Sequence, residues 1–156
     1  MPRDRVLFVC TDGARSLMAA AILAKYGSDR FEPCCAAANP GGLDSRVKEA
    51  LQEHGVEGDR PWLQPLTNMG GTFRDIMVLD ESVSVPSNLA GRVRDWDVPN
   101  PVDVGTPAAF AEARDLIEGV LFDWLTRFAE QDMGEDQGPP APHLASLNSR
   151  PNDVRL

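Results

Sequence analysis

A chain of 156 residues with 24 acidic against 15 basic side chains carries a formal net charge of −9. That balance argues against nucleic acid or an anionic membrane as a partner, since both would repel it, and an anionic substrate would need a local positive site. The length fits one domain with a real core, no apolar run approaches a membrane span, and Met1-Pro2-Arg3-Asp4 leads into the first strand without a signal-peptide core, which together predict a cytoplasmic protein.

Arg5 to Val9 reads as a buried strand that runs into Cys10-Thr11-Asp12-Gly13-Ala14-Arg15-Ser16, a short polar loop opening a helix over Arg15 to Tyr26 with Gly27 to end it. A helix that starts there presents free backbone N–H groups and a positive dipole end, which suit an oxyanion such as phosphate or arsenate. The same field, with Arg15, would hold Cys10 as a reactive thiolate. Phe31 to Ala37 reads as a second strand, on which the adjacent Cys34 and Cys35 point to opposite faces as small buried residues. After the Asn39-Pro40-Gly41-Gly42 loop, Asp44 or Ser45 caps a helix through His54 that stops at Gly55.

Asp75 to Leu79 is a third strand, Gly91 to Trp96 a short fourth, and Pro107 to Ala129 a helix with Thr106 as cap and Pro107 at its first position. Strands alternating with helices imply a parallel sheet covered on both faces, with ligands bound beyond the carboxyl ends of its strands. Residues 1–129 then form the α/β domain. Residues 130–156, rich in Pro, Gly and acidic side chains, read as a disordered tail that leaves a place for a protein partner; were the tail to dock instead, Leu144 and Leu147 would be its anchors. Three cysteines, an odd and low number, suit a reducing compartment. His54 and His143 lie far apart with no metal-ligand spacing around them, so neither a metal nor a cofactor is expected.

Cys10 to Ser16, with Leu17-Met18-Ala19-Ala20-Ala21 after it, resembles the phosphate-binding loop of low-molecular-weight protein tyrosine phosphatases and the arsenate reductases that share their fold. Ile76 to Asp80 resembles that family's third strand with its terminal Asp, Trp96 to Pro101 its acid loop, and Ala111 to Ile117 its last helix. The resemblance implies a three-layer α/β sandwich on a four-stranded parallel sheet, acting as a phosphoric monoester hydrolase. It makes Cys10 the nucleophile that forms a thiophosphate. It makes Arg15 the fork on two equatorial oxygens, Ser16 the donor that helps the thiolate leave, and the backbone of Thr11, Asp12, Gly13 and Ala14 the rest of the oxyanion cradle. Asp80 would help place the acid loop or, as a strand-ending Asp, cap the next turn.

Two departures fall on the chemistry. Only Thr11, Asp12, Gly13 and Ala14 separate Cys10 from Arg15, one residue fewer than the family's loop, and the general-acid position is Asn100, which can donate a hydrogen bond but not a proton near neutral pH. Asp97 and Asp103 flank Asn100 as alternative acids. Asp12 either sets a carboxylate inside a cradle built for an anion or serves with Gly13 as a turn pair that shapes the loop. Trp96 and Trp62 line either the mouth of the site or the core. Val102 and Asp103 replace the family's aromatic residues after the acid-loop proline, a departure that counts against phosphotyrosine specificity. Thioredoxin-coupled arsenate reduction lacks its downstream cysteines, since none follows Cys35. Arsenate transfer to a small external thiol, and a catalytically silent anion or partner binder, stand as the alternatives.

Overall fold

The computed structural model describes residues 3–40, 44–58 and 63–136. Strand β1 (Asp4–Cys10) leads to helix α1 (Ala14–Gly27), β2 (Phe31–Ala37), α2 (Ser45–Glu53) and β3 (Leu63–Pro65). A 3-10 turn (Leu66–Asn68) then precedes β4 (Gly71–Val78), β5 (Leu89–Asp95), the short α3 (Pro101–Val104) and the long α4 (Pro107–Asp136). All neighbours in the sheet pair in parallel, in the order β3-β2-β1-β4-β5.

The sheet has five strands where four are expected. The extra one, β3, is a three-residue edge pairing with Cys35 to Ala37, too short to carry a period of its own. Helix α4 also continues to Asp136, past the expected end at Ala129. The remainder of the proposed tail, with Leu144 and Leu147, lies outside the described residues, as do Trp62 and His143.

The core divides by strand alternation. Val6, Phe8 and Cys10 of β1, with Cys35 of β2 and Met77 of β4, face one way and pack with α1, α2 and α4 in a single cluster. Leu7, Val9, Ala36, Ile76 and Val78 face the other way, and their cover is Leu66 and Met69 beside the 3-10 turn together with Val83 and Val85 of the 79–88 connection. Helices thus form one outer layer, while a turn and a loop form the other. Cys34 and Cys35 fall on opposite faces as expected, Cys35 fully buried and Cys34 half-buried.

Capping follows the sequence. The Asp44 carboxylate accepts from the Arg46 N–H to open α2, and the Thr106 hydroxyl accepts from the Ala109 N–H at 3.2 Å to open α4. Buried Arg114 on α4 ties α2 in place by donating to the carbonyl of Ala50 at 2.8 Å and to Glu53 at 2.7 Å. No helix among the described residues is long and apolar enough to cross a membrane.

Candidate active site

The chain leaves β1 at Cys10, in the middle of the sheet, and turns into α1 within three residues. Turning so sharply requires a left-handed residue, and Gly13 supplies it with φ of 101°. A Cβ there would also stand 2.4 Å from Cδ2 of Leu63 on β3, so the end of that side chain would have to shift. Backbone hydrogen bonds from Ala38 to the Cys10 carbonyl (3.0 Å) and from Asn39 to the Thr11 carbonyl (2.8 Å) fasten the loop to the end of β2.

Cys10 is fully buried, and its sulfur is held at the head of α1. The N–H groups of Gly13 (3.1 Å) and Ser16 (3.4 Å) donate to Sγ, and the Ser16 hydroxyl lies 3.4 Å from it while donating to the Gly13 carbonyl. Cys10 and Ser16 are therefore brought together as the resemblance implies. Burial pushes the Cys35 thiol up to about 12, aided by the neighbouring Cys34 and Cys10. Cys34 is also raised by burial, against a smaller opposing pull from Arg5.

Arg15 departs from its expected posture. Its side chain is 4% exposed, and instead of offering a free fork to an anion it spends both terminal nitrogens on the protein. Nη1 donates to the carbonyls of Leu79 (3.2 Å) and Val98 (2.8 Å), and Nη2 pairs with Asp80 Oδ2 at 2.7 Å. Only Nε is without a partner. The residue thus ties the end of β4 to the segment leading into Asn100, a role that Cys-to-Arg spacing does not announce.

Asp80 is the hub of this tie. Thr11 Oγ1 donates to its Oδ2, and the Ser82 N–H (3.0 Å) and hydroxyl (2.7 Å) donate to its Oδ1. Burial works to raise this carboxyl, but the hydrogen bonds from Thr11 and Ser82 and the Arg15 charge outweigh it and hold the group well below the usual carboxylate range. Thr11 therefore acts through its side chain, on Asp80.

Asp12 serves both of the roles open in the sequence, shaping the turn through the N–H two residues on and setting its carboxylate inside the loop. Its carboxylate turns inward: Oδ1 accepts from the Ala14 N–H at 3.0 Å and stands 4.0 Å from the Cys10 sulfur, and Oδ2 accepts from Asn100 Nδ2 at 3.2 Å. Asn100 meanwhile caps α3, its Oδ1 accepting from the Val102 N–H at 3.1 Å. Asn100 is thus brought to the 10–16 loop, with an amide facing a carboxylate. Asp97 and Asp103 are exposed, and among the described residues no hydrogen bond joins either of them to the 10–16 loop. Trp96 is core, 2% exposed and packed against Phe8 with ring centroids 6.3 Å apart.

No protein-family model matches the chain. Solved structures do match it. An arsenate reductase in the phosphate binding state aligns with a TM-score of 0.68 at 16% identity, over 80% of this chain and 98% of that one. The tyrosine phosphatase AmsI of Erwinia amylovora aligns with a TM-score of 0.63 at 16% identity, over 81% and 93% of the two chains. The tyrosine phosphatase Wzb of Escherichia coli K30, in complex with sulphate, aligns at 0.64 and 14% identity, over 81% and 99%. With a parallel sheet, a helix following the β1 loop, and an Asp at the end of β4, the chain has the fold shared by low-molecular-weight tyrosine phosphatases and arsenate reductases.

Proposed function

We propose that the protein is a cysteine-dependent hydrolase of phosphomonoesters, with Cys10 as nucleophile. The observation that carries this reading is the convergence of the Gly13 N–H and the Ser16 N–H on one sulfur at the head of α1, with the Ser16 hydroxyl 3.4 Å away. Donors fixed in this way serve a sulfur that is anionic before attack and again on departure, at no cost in reorganisation. In the first step the Cys10 thiolate attacks phosphorus. The S–P bond forms and the ester P–O bond breaks, its electron pair leaving with the alcohol oxygen, which water protonates. In the second step water attacks phosphorus, the S–P pair returns to sulfur, the Ser16 hydroxyl turns to receive it, and phosphate departs. Arsenate, a tetrahedral oxyanion of the same charge, suits the same seat.

Asn100 supplies no proton, so the leaving group has to depart unaided. Nitrophenyl phosphate fits that requirement and alkyl phosphates do not, since general acid catalysis is worth about a hundredfold to ten-thousandfold. The test is steady-state hydrolysis of nitrophenyl phosphate by the wild type beside Cys10→Ser and Ser16→Ala. Activity that vanishes in the first and falls in the second supports the reading; activity that survives Cys10→Ser overturns it.

A second reading, a phosphatase-fold protein that binds an anion or a partner without catalysis, is favoured by one observation. Both terminal nitrogens of Arg15 are engaged by Leu79, Val98 and Asp80. The same assay separates the two, because a silent binder gives no Cys10-dependent turnover.

A further inference from the structure

We infer that the Asp12 carboxylate, clamped by Asn100, is a built-in occupant of the oxyanion seat, which a phosphoryl ligand has to displace to reach Cys10. This deepens the hydrolase reading above and rests on it. Three contacts carry the inference. The first is the 3.0 Å bond from the Ala14 N–H, a helix-terminal donor not used by the thiol, to Oδ1. Donors of this kind bind whatever anion is presented to them, and here the chain presents its own.

The second contact is the 3.2 Å bond from Asn100 Nδ2 to Oδ2, which reaches the carboxylate from the loop on the other side of the site. Asn100 is itself fixed by capping α3, so the clamp is anchored. An amide at this position can hold a carboxylate where another carboxylate would repel it. The replacement of the acid by Asn100 and the inward turn of Asp12 are therefore one arrangement.

The third contact is the 4.0 Å approach of Oδ1 to the Cys10 sulfur. A reacting phosphorus needs to come within about 3–3.5 Å of its nucleophile, so phosphorus with its oxygens and the Asp12 carboxylate compete for one space. Cys10 is 0% exposed, which keeps the thiol out of reach while the loop holds this shape. Removing the carboxylate opens the seat and takes away a like charge from beside the incoming anion.

The experiment uses the full chain and its Asp12→Ala and Asp12→Asn variants, with inorganic phosphate titrated by calorimetry and Cys10 alkylation by iodoacetamide followed by mass mapping. Asp12→Asn is nearly isosteric and guards against a folding defect in the alanine variant, which melting curves detect. The expected result is phosphate binding at least tenfold tighter in Asp12→Ala than in the wild type, with a smaller gain in Asp12→Asn. Cys10 should also alkylate at least tenfold faster in Asp12→Ala and be protected there by phosphate. Unchanged phosphate affinity in both variants overturns the occupant role. If wild-type turnover remains Cys10-dependent in that case, the hydrolase reading stands without it. Tighter binding with no turnover in any form supports the occupant role and overturns the hydrolase reading.

Discussion

Arg15 Nη2 lies 2.7 Å from Asp80 Oδ2, joining the first turn of α1 to the residue just beyond β4, with the two side chains 4% and 14% exposed. The same guanidinium reaches the Val98 carbonyl at 2.8 Å, so one side chain holds together three segments around the 10–16 loop. Replacing it with alanine removes the charged partner of Asp80 and the side-chain donor to the Leu79 and Val98 carbonyls, while Thr11 and Ser82 still bond the carboxylate and the Val98 N–H the Leu79 carbonyl. Arg15→Ala should therefore lower the free energy of unfolding by about 1.5–3 kcal/mol, as losing a hydrogen bond to a charged group does, and Arg15→Lys should recover only part of it because an ammonium has no planar fork. Urea denaturation checks this. A loss below about 1 kcal/mol would reduce the tie to the level of a surface ion pair.

Asp80 gives the structure a directional response to acid. Its carboxyl is held below the range it has in the unfolded chain, so its contribution to stability is fully present above the unfolded value of about 3.9 and is lost as the pH falls from there through the folded value. Melting temperature followed from pH 6 downward should fall on that acid limb in the wild type, and less steeply in Asp80→Asn. Parallel limbs in the two proteins would show that other carboxylates set the acid response.

Gly13 has φ of 101° and Leu63 against its α-carbon. Gly13→Ala should cost about 1–3 kcal/mol from the backbone conformation, with the displaced Leu63 adding to it. It should also move the Gly13 N–H off the Cys10 sulfur, so that turnover of nitrophenyl phosphate falls along with stability. A Gly13→Ala protein of wild-type stability and rate would contradict the loop geometry described here.

Asn100 has two jobs that substitution can separate. Asn100→Ala loses the α3 cap, worth about 1 kcal/mol, whereas Asn100→Asp keeps a capping oxygen. The aspartate variant also sets a carboxyl beside Asp12, which loosens the clamp and restores a proton donor. Turnover of alkyl phosphates should rise in Asn100→Asp by up to about a hundredfold, with the nitrophenyl rate changing less. An equal change on both substrates would mean that proton donation is not what position 100 lacks.

Much of the frame was legible because it is local. The apolar run from Val6 to Val9, the Thr106-Pro107 start of α4 and the Asp44 cap each carry their signal within a few residues, and each forms as read. Strand β3 carries none, since three residues on a sheet edge take their conformation from Cys35 to Ala37. The extension of α4 past Ala129 was hidden by a polar composition that a helix tolerates as well as a loop does. At the site, the resemblance groups Cys10, Ser16, Asp80 and Asn100, but it points Arg15 at an anion rather than at the protein, and the loop's own residues leave the direction of Asp12 open. Those depend on partners 83 and 88 residues away, Val98 and Asn100, and spacing within the loop says nothing about them.

In the proposed reaction Cys10 carries the phosphoryl group. Nitrophenyl phosphate mixed with excess protein, quenched in acid within the first turnover and digested for mass analysis, reads this directly. The peptide containing Cys10 should gain the mass of one phosphoryl group, in the wild type and more abundantly in Asp12→Ala, and Cys10→Ser should release no nitrophenolate. Release of nitrophenolate by Cys10→Ser at the wild-type rate, or a phosphoryl group found on another residue, would contradict it.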